Sequence, residues 1–379
     1  YINGTLVISK NHTLLQKNII KDYDKFEDTD VPWGKESSKI KKVQILDQVK
    51  SNYMNAWFED CLNLTTLLNL KNLDVSDCTD FSFMFCNCKS LQNLNELQSW
   101  NISNGTDFSY MFNNCQALQN LNELQTWNVS NGIDFSNMFA DCKSLQDLNG
   151  LQTWNVSNGT DFSRMFAGDK LLQDLNGLET WNVFNGNDFS YMFAACKSLQ
   201  DLNGLKNWNV SNGIGFSRMF SYCNALKNLN ELQYWNVSNG TDFSFMFGYC
   251  ISVLNIKALQ DWNVSNGTDM NSMFSGCTSL QDLNGLQNWN VSDCTDFSYM
   301  FYNCESLQNI NSLENWNISN MKDVSCMFEY CESLQSILLS NTLDILSKDM
   351  FYNCNPTLKI HWKNHIYTYA DLLEYQTIY

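Results

Sequence analysis

Fifteen cysteines, a column of aspartates and a close pair of histidines are the residues of this chain whose types and spacing could do chemistry. Eleven of the cysteines, from Cys61, Cys88 and Cys115 onward to Cys354, stand three residues after a recurring phenylalanine. Thiols in such a row can pair as disulfides, ligate a metal or simply pack. Disulfides need Cα atoms roughly 4.4–6.8 Å apart, and successive turns of a curved array usually splay further. Metal sites favour close pairs such as C-x-x-C with histidines nearby, which a 27-residue spacing does not supply. The expectation is a column of buried thiols acting as small hydrophobes, interrupted once by Asp169. Cys78, Cys86, Cys294 and Cys326 fall outside the column and are expected to be more exposed, either as cross-links to a partner or as reduced thiols. The total of 15 cysteines is odd, which forbids complete internal pairing.

Asp80, Asp107, Asp134, Asp161, Asp188, Asp242, Asp269, Asp296 and Asp323 form a second column. A calcium ladder is conceivable, but no D-x-D-x-D-G loop accompanies it. Local capping of orphaned backbone N–H groups explains the same column at lower cost. Gly215 breaks the column without breaking the pattern around it. Asn101, Asn128 and Asn155 read as a half-buried ladder tying adjacent coils together. His361 and His365 have the i, i+4 spacing of one helix face, but "HWKNH" lacks the glutamate of the zinc motif. Sequons such as Asn104-Gly105-Thr106 arise automatically from the repetition, and sugar on every copy would obstruct an array. No G-x-S-x-G, H-E-x-x-H or phosphate loop occurs. No catalytic residue, metal site or cofactor is therefore expected, and the chain reads as a non-enzyme.

Strict repetition positions all of these residues. A Met-Phe pair recurs at Met84, Met111, Met138 and so on to Met327, each step being 27 residues, and a tryptophan recurs from Trp100 to Trp316 with the same period. Trp57-Phe58 is a degenerate first copy, and Met350-Phe351 follows a shortened step of 23. Register this strict implies one supersecondary unit per repeat, stacked into a solenoid. Within a unit, Phe108, Met111, Phe112 and Cys115 follow the i, i+3, i+4, i+7 pattern, which predicts a short helical turn from Asp107 to Cys115 with Asp107 as its cap. Leu118, Leu121, Leu124 and Trp127 follow, read as a short strand over 118–124, and Ser130-Asn131-Gly132 turns the chain back. The expected fold is an α/β solenoid with both ends capped. Its domains are an N-terminal cap over 1–55, with a strand-like Leu6-Val7-Ile8 and a helical pattern through Leu14, Leu15, Ile19 and Ile20, repeats over 56–354, and an aromatic C-terminal cap over 355–379.

The 379 residues are too many for one ordinary core but suit a repeat array. With 44% hydrophobic and 17% charged residues, the chain is not a disordered acidic polymer. A net charge of -17 repels phosphate backbones and anionic headgroups, which argues against nucleic acid and membrane surfaces as partners. No apolar run reaches about 18 residues, so no direct membrane insertion is expected. The sequence opens on Tyr1 rather than Met, as a processed product or a fragment would, which leaves a preceding signal or anchor open.

The phrase "NVSNGTDFSYMFNNCQALQNLN" resembles the BspA-type leucine-rich repeats, most closely the surface-protein repeat of mycoplasma-type lipoproteins. The hallmark V-S-N-x-T-D-M-S-x-M-F-x-x-C-x-x-L recurs at Val129–Leu145, Val156–Leu172 and Val291–Leu307 with Phe in place of the first Met, which Met270 retains, and with one further change in each, at Ile133, Asp169 and Asp293. The resemblance covers about residues 57–354. It implies a leucine-rich-repeat-like right-handed coil of about 11 turns, and a protein-binding scaffold associated with surfaces, adhesion and host or matrix contact. The same repeats occur in protists and in large DNA viruses. This chain departs from the family in its 27-residue unit and its nearly constant tryptophan, and no lipobox cysteine is visible at the start of the sequence, so the lipoprotein anchor is not carried over.

Comparison between copies marks where a partner would bind. The residue before each Met-Phe varies: Phe83, Tyr110, Asn137, Arg164, Tyr191, Arg218, Phe245, Ser272, Tyr299 and Cys326. On a helix it lies roughly opposite the buried face. The residues after Met-Phe also vary and include Tyr222, Tyr249, Tyr302 and Tyr330. Aromatics with an occasional arginine anchor interfaces, although isolated exposed aromatics are common. The expected partner-binding residues are Phe83, Tyr110, Arg164, Tyr191, Arg218, Tyr222, Phe245, Tyr249, Tyr299, Tyr302 and Tyr330. The expected function is a non-enzymatic binding or adhesion scaffold on a cell surface or outside the cell, its partner a host protein, a matrix protein or a second copy. The alternative is a structural subunit of a virion or filament that self-assembles through a lateral face.

Overall fold

The computed structural model describes residues 4–9, 31, 33–339, 346–375 and 377–378. The helical pattern expected through Leu14, Leu15, Ile19 and Ile20 lies outside them. The chain divides into two compact units, Tyr1–Asn185 and Gly186–Tyr379. Each is a stack of coils in which equivalent residues of successive repeats lie against one another, the solenoid arrangement expected from the period.

The coil through Asp107 shows how the sequence builds the stack. Asp107 forms parallel bridges with Asp80 on one side and Asp134 on the other. Beyond it, alternate N–H groups point along the stack. Phe108, Tyr110, Phe112 and Asn114 donate to the carbonyls of Asp134, Ser136, Met138 and Ala140 at 2.7–2.9 Å. The N–H groups in between close tight local turns, Met111 to Phe108, Asn113 to Tyr110 and Cys115 to Phe112. The short helix expected over 107–115 is therefore not formed. A helix would direct every N–H backward along its own axis, whereas Tyr110 (φ 56°) and Asn114 (φ 58°) are left-handed and break helical continuation. The train of turns still returns Phe108, Met111, Phe112 and Cys115 to one face, and all four are fully buried.

The strand expected over 118–124 is also absent. Leu118, Leu121, Leu124 and Trp127 are buried with a period of three. That matches the three residues per turn of a 3-10 helix, which runs over Asn122–Thr126. A strand buries every second residue.

Rings stack between coils. In the first unit Phe108–Phe135–Phe162 lie 5.6 Å apart, and Trp127–Trp154–Trp181 lie 6.3 Å apart. In the second, Phe216–Phe243 lie 5.6 Å apart, and Trp208–Trp235–Trp262–Trp289–Trp316 are spaced at 6.4–6.5 Å. Indoles of the column anchor to the coil before them: Trp154 Nε1 donates to the Leu124 carbonyl at 3.0 Å, a group that also accepts the backbone N–H of Trp127. This meets the requirement that a buried indole find an acceptor.

At the start of the first unit, β1 (Thr5–Ile8) pairs in parallel with β2 (Lys42–Ile45), and β3 (Val49–Lys50) precedes β4 (Thr66–Leu68), which takes the other edge of β2. At the end of the second unit, β5 (Ser336–Leu338) pairs in parallel with β6 (Lys359–Trp362), and β6 forms a hairpin with β7 (His365–Thr368). Lys363 and Asn364, at φ 47° and 63°, supply the tight turn. The helix α1 (Tyr369–Tyr375) starts at once, held by a reciprocal cap in which Thr368 N–H donates to Asp371 Oδ2 and Asp371 N–H to Thr368 Oγ1. His361 and His365 thus stand on two strands of a hairpin, with Trp362 rather than His361 opposite His365. The i, i+4 helical reading of this pair is corrected by the turn between them.

Candidate functional site

The chemistry-bearing columns prove to be internal fittings. All cysteines are free thiols. Cys115 Sγ donates to the Phe85 carbonyl at 3.3 Å, and Cys142, Cys223, Cys250, Cys277, Cys304 and Cys331 repeat the bond 30 residues back. Burial pushes the Cys277 thiol up to about 12 and that of Cys115 well above the ordinary range, which disfavours the nucleophilic thiolate at both. The expected exposure of the off-column cysteines is corrected for three of the four: Cys78, Cys86 and Cys294 are buried, and Cys326 is half-buried. Cys78 and Cys294 occupy the place that Gly105 and Gly132 hold in other coils, where a Cβ would lie 2.3–2.5 Å from the phenylalanine three residues on. Their thiols therefore face the core.

Asp169, in the thiol column, is completely buried, and neither carboxylate oxygen has a hydrogen-bond partner. Burial raises its pKa well above the usual carboxylate range; the nearby Cys142 backbone opposes this and Asp141 adds to it.

The aspartate column caps the local backbone. Asp107 Oδ1 accepts the Ser109 N–H at 2.9 Å, and Asp80, Asp134, Asp161, Asp188, Asp242, Asp269, Asp296 and Asp323 repeat the bond two residues on. Desolvation first, and neighbouring carboxylates to a lesser degree, raise the pKa of Asp107 and Asp269. The asparagine expectation is corrected. Asn101, Asn128 and Asn155 are exposed and accept the N–H two residues on. The inter-coil ladder belongs to Asn104, Asn131, Asn158, Asn239 and Asn266, whose amides donate to a serine carbonyl 28 residues earlier at 2.7–2.8 Å. The sequon asparagines thus include the ladder itself.

The varied aromatics lie on the turn train, in two left-handed columns four residues apart. The first holds Phe83, Tyr110, Arg164, Tyr191, Arg218, Phe245 and Tyr299; the second holds Tyr222, Tyr249 and Tyr330. They face outward because of this backbone geometry and not because of a helix. In the first unit Phe83 and Tyr110 stack at 4.6 Å and 6°, while Arg164 is exposed two coils beyond Tyr110. In the second unit the Arg218 guanidinium sits between two rings, 5.5 Å from Tyr191 and 4.5 Å from Phe245. Tyr222 and Tyr249 stack at 4.9 Å and 5°, and both lie 5.8 Å from Phe245. Glycine makes room for this cluster: a Cβ on Gly276 would fall 2.6 Å from the Tyr249 ring. Further along the same unit, Tyr302 meets Tyr299 at 5.7 Å and 61°, and Tyr330 at 5.6 Å and 79°. The structure thus gathers most of the expected residues into one pair and two clusters. The coils of the last cluster also carry Glu305, Glu329 and Glu332, which the comparison of aromatic positions missed; their signal was a run of acids at places where earlier copies carry Lys89, Lys143 and Lys197 or small residues.

The family model described as "Mycoplasma protein of unknown function, DUF285" matches residues 51–176, 146–255 and 250–360. The chain belongs to this family, which bears out the resemblance to the mycoplasma-type repeat. Among solved structures it is similar to a leucine-rich repeat protein from Bacteroides ovatus, at 14% identity over 86% of this chain and 75% of that one with a TM-score of 0.41. It is also similar to a leucine rich cell surface protein from Faecalibacterium prausnitzii, at 16% identity over 86% and 80% with a TM-score of 0.40. A leucine-rich repeat protein from Eubacterium ventriosum is similar at 14% identity over 96% and 95%, with a TM-score of 0.42. No curated protein matches the chain.

Proposed function

We propose that the chain is a non-enzymatic protein-binding scaffold, displayed on a cell surface, that meets its partner through the outward aromatics of its turn trains. The observation that carries this reading is backbone strain retained for the sake of side chains. The second left-handed column is filled mostly by residues that tolerate positive φ: Asp60, Asn87, Asn114, Asp141, Gly168, Gly276, Asn303 and Asn353. Tyr222, Tyr249 and Tyr330 hold the same geometry at φ 58–61°. A bulky residue there costs on the order of 1–2 kcal/mol, and such cost clusters at functional positions. Surface display rests on the family resemblance. Among the described residues no helix is long and apolar enough to cross a membrane.

The test is binding of the purified chain to cultured cells and to immobilised matrix proteins, compared with the Tyr222→Asn/Tyr249→Asn double variant. Saturable binding that the variant loses, at unchanged circular dichroism, supports the reading. Binding that survives the double substitution overturns the assignment to this surface. Failure to bind, together with reversible self-association, would favour a structural assembly instead.

A further inference from the structure

We propose that the corner formed by Tyr299, Tyr302 and Tyr330 takes an arginine or lysine side chain from a basic segment of the partner protein. This rests on the reading of the aromatic surface as a protein-binding face and names the chemistry of what it binds.

The same unit already shows how this surface handles a cation. Arg218 stands in the first left-handed column, and its guanidinium is held between the Tyr191 and Phe245 rings of the adjacent coils. Tyr299 occupies the equivalent place three coils on, but its column neighbours are Ser272 and Cys326 rather than rings. No neighbouring aromatic in that column covers its faces, and it is 42% exposed. Tyr302 and Tyr330 stand at steep angles rather than stacked flat, 61° and 79° between successive rings. Phe83–Tyr110 and Tyr222–Tyr249, by contrast, are nearly parallel at 5–6° and use up each other's faces. Angled rings leave faces for a cation, which is attracted to the ring quadrupole.

The charge around the corner has the matching sign. Glu329 is half-buried, next to Tyr330 in the chain and one repeat on from Tyr302, and Glu305 and Glu332 are exposed on the same two coils. Among the described residues none of the three is in an ion pair. The hydroxyl pKa of Tyr299 is raised first by its hydrogen bond with Cys326 and that of Tyr302 first by burial, with Glu329 adding to both. Rings with adjacent carboxylates, none of which is in an ion pair among the described residues, complement a guanidinium or ammonium on a flexible segment.

The test is fluorescence anisotropy of the full chain with a short labelled Gly-Arg peptide, and with its Gly-Lys and Gly-Gln counterparts. Expected are saturable binding of the basic peptides, no binding of the glutamine peptide, and a loss of about tenfold or more in Tyr299→Ser/Tyr302→Ser/Tyr330→Asn, which leaves the net charge unchanged. Glu329→Gln should weaken binding, and Glu314→Gln, an equal charge change at the residue that follows the 3-10 segment Asn311–Leu313, should not. Basic-peptide binding that persists in the tyrosine variant, or that Glu314→Gln reduces as much as Glu329→Gln does, would reveal diffuse attraction to an acidic surface and overturn the proposal. Retained peptide binding in Tyr222→Asn/Tyr249→Asn, with partner binding lost, would uphold both readings. Partner binding lost in that variant, with no peptide bound by the native chain, would overturn this inference alone.

Discussion

Replacing Asp169 by cysteine should stabilise the protein, by an amount that grows with pH. Every other coil of the thiol column that carries cysteine places a neutral sulfur where Asp169 puts a carboxyl group, and that carboxyl is fully buried with both oxygens unpartnered. Burial raises its folded-state pKa well above the unfolded value. The folded protein then holds a proton that the unfolded chain releases, so the unfolded state binds fewer protons and stability falls as pH rises. The fall begins near the unfolded aspartate pKa of about 3.9 and runs at about 1.4 kcal/mol per pH unit until the folded-state pKa is reached. Asp169→Cys removes the titration and supplies an S–H donor where Cys142, one coil earlier, bonds the Phe112 carbonyl. Urea unfolding followed by tryptophan fluorescence at pH 5 and pH 7 measures the effect. The variant's advantage should be larger at pH 7, by up to about 2.7 kcal/mol for a carboxyl that stays protonated throughout. Asp169→Asn should flatten the same pH dependence without a thiol. Other carboxylates titrate in all three proteins and cancel in the difference. An advantage equal at both pH values would refute the reasoning, because it would mean that the carboxyl is ionised in the folded protein.

Three further outcomes follow from the packing. Trp154→Phe removes the indole bond to the buried Leu124 carbonyl, which keeps the Trp127 N–H as a donor, and should cost about 0.5–1.5 kcal/mol beyond the lost area, read as a lower urea midpoint. Gly150→Ala should be among the most damaging single changes, since Gly150 has φ +104° and a Cβ would lie 2.1 Å from the Leu121 carbonyl oxygen; expression with native circular dichroism would contradict this. Thiol titration with an aromatic disulfide reagent at pH 8 should label Cys326 first and slowly, its pKa being raised to about 11 by burial and by Glu329, and all 15 cysteines only after denaturation.

The sequence made the buried set legible because burial follows the register. Phe108, Met111, Phe112, Cys115, Leu118, Leu121, Leu124 and Trp127 could be marked as core from spacing alone, and each is. The aspartate caps were legible for a related reason, since an acidic side chain two residues before a serine N–H needs only local geometry. The backbone between core positions was not. A helix and a train of left-handed turns bury the same i, i+3, i+4, i+7 set, and the residue that decides between them, Tyr110, is one that does not favour positive φ. The asparagine ladder failed in another way. Two asparagines per repeat stand three apart, and nothing in their spacing tells which amide reaches the neighbouring coil. The cysteines at glycine positions were misjudged because only the built coil shows which way that Cβ points.

The way the coils are joined also explains why the aromatic surface could diversify. Within each unit, coils are joined by backbone bonds from the turn train and by buried rings, and neither needs a particular outward side chain. In the first left-handed column phenylalanine, tyrosine, asparagine, arginine, serine and cysteine all stand on the same backbone. The positions are free in composition but fixed in place, with neighbours held one coil apart. A side chain there can therefore be exchanged without rebuilding the core, and its cost is set by its own φ strain and its immediate neighbours. That is why Arg218 between two rings and three angled tyrosines can occur on one scaffold within the second unit. It is also why substitutions at Tyr299, Tyr302 and Tyr330 can separate binding from folding, which substitutions in the buried columns cannot do.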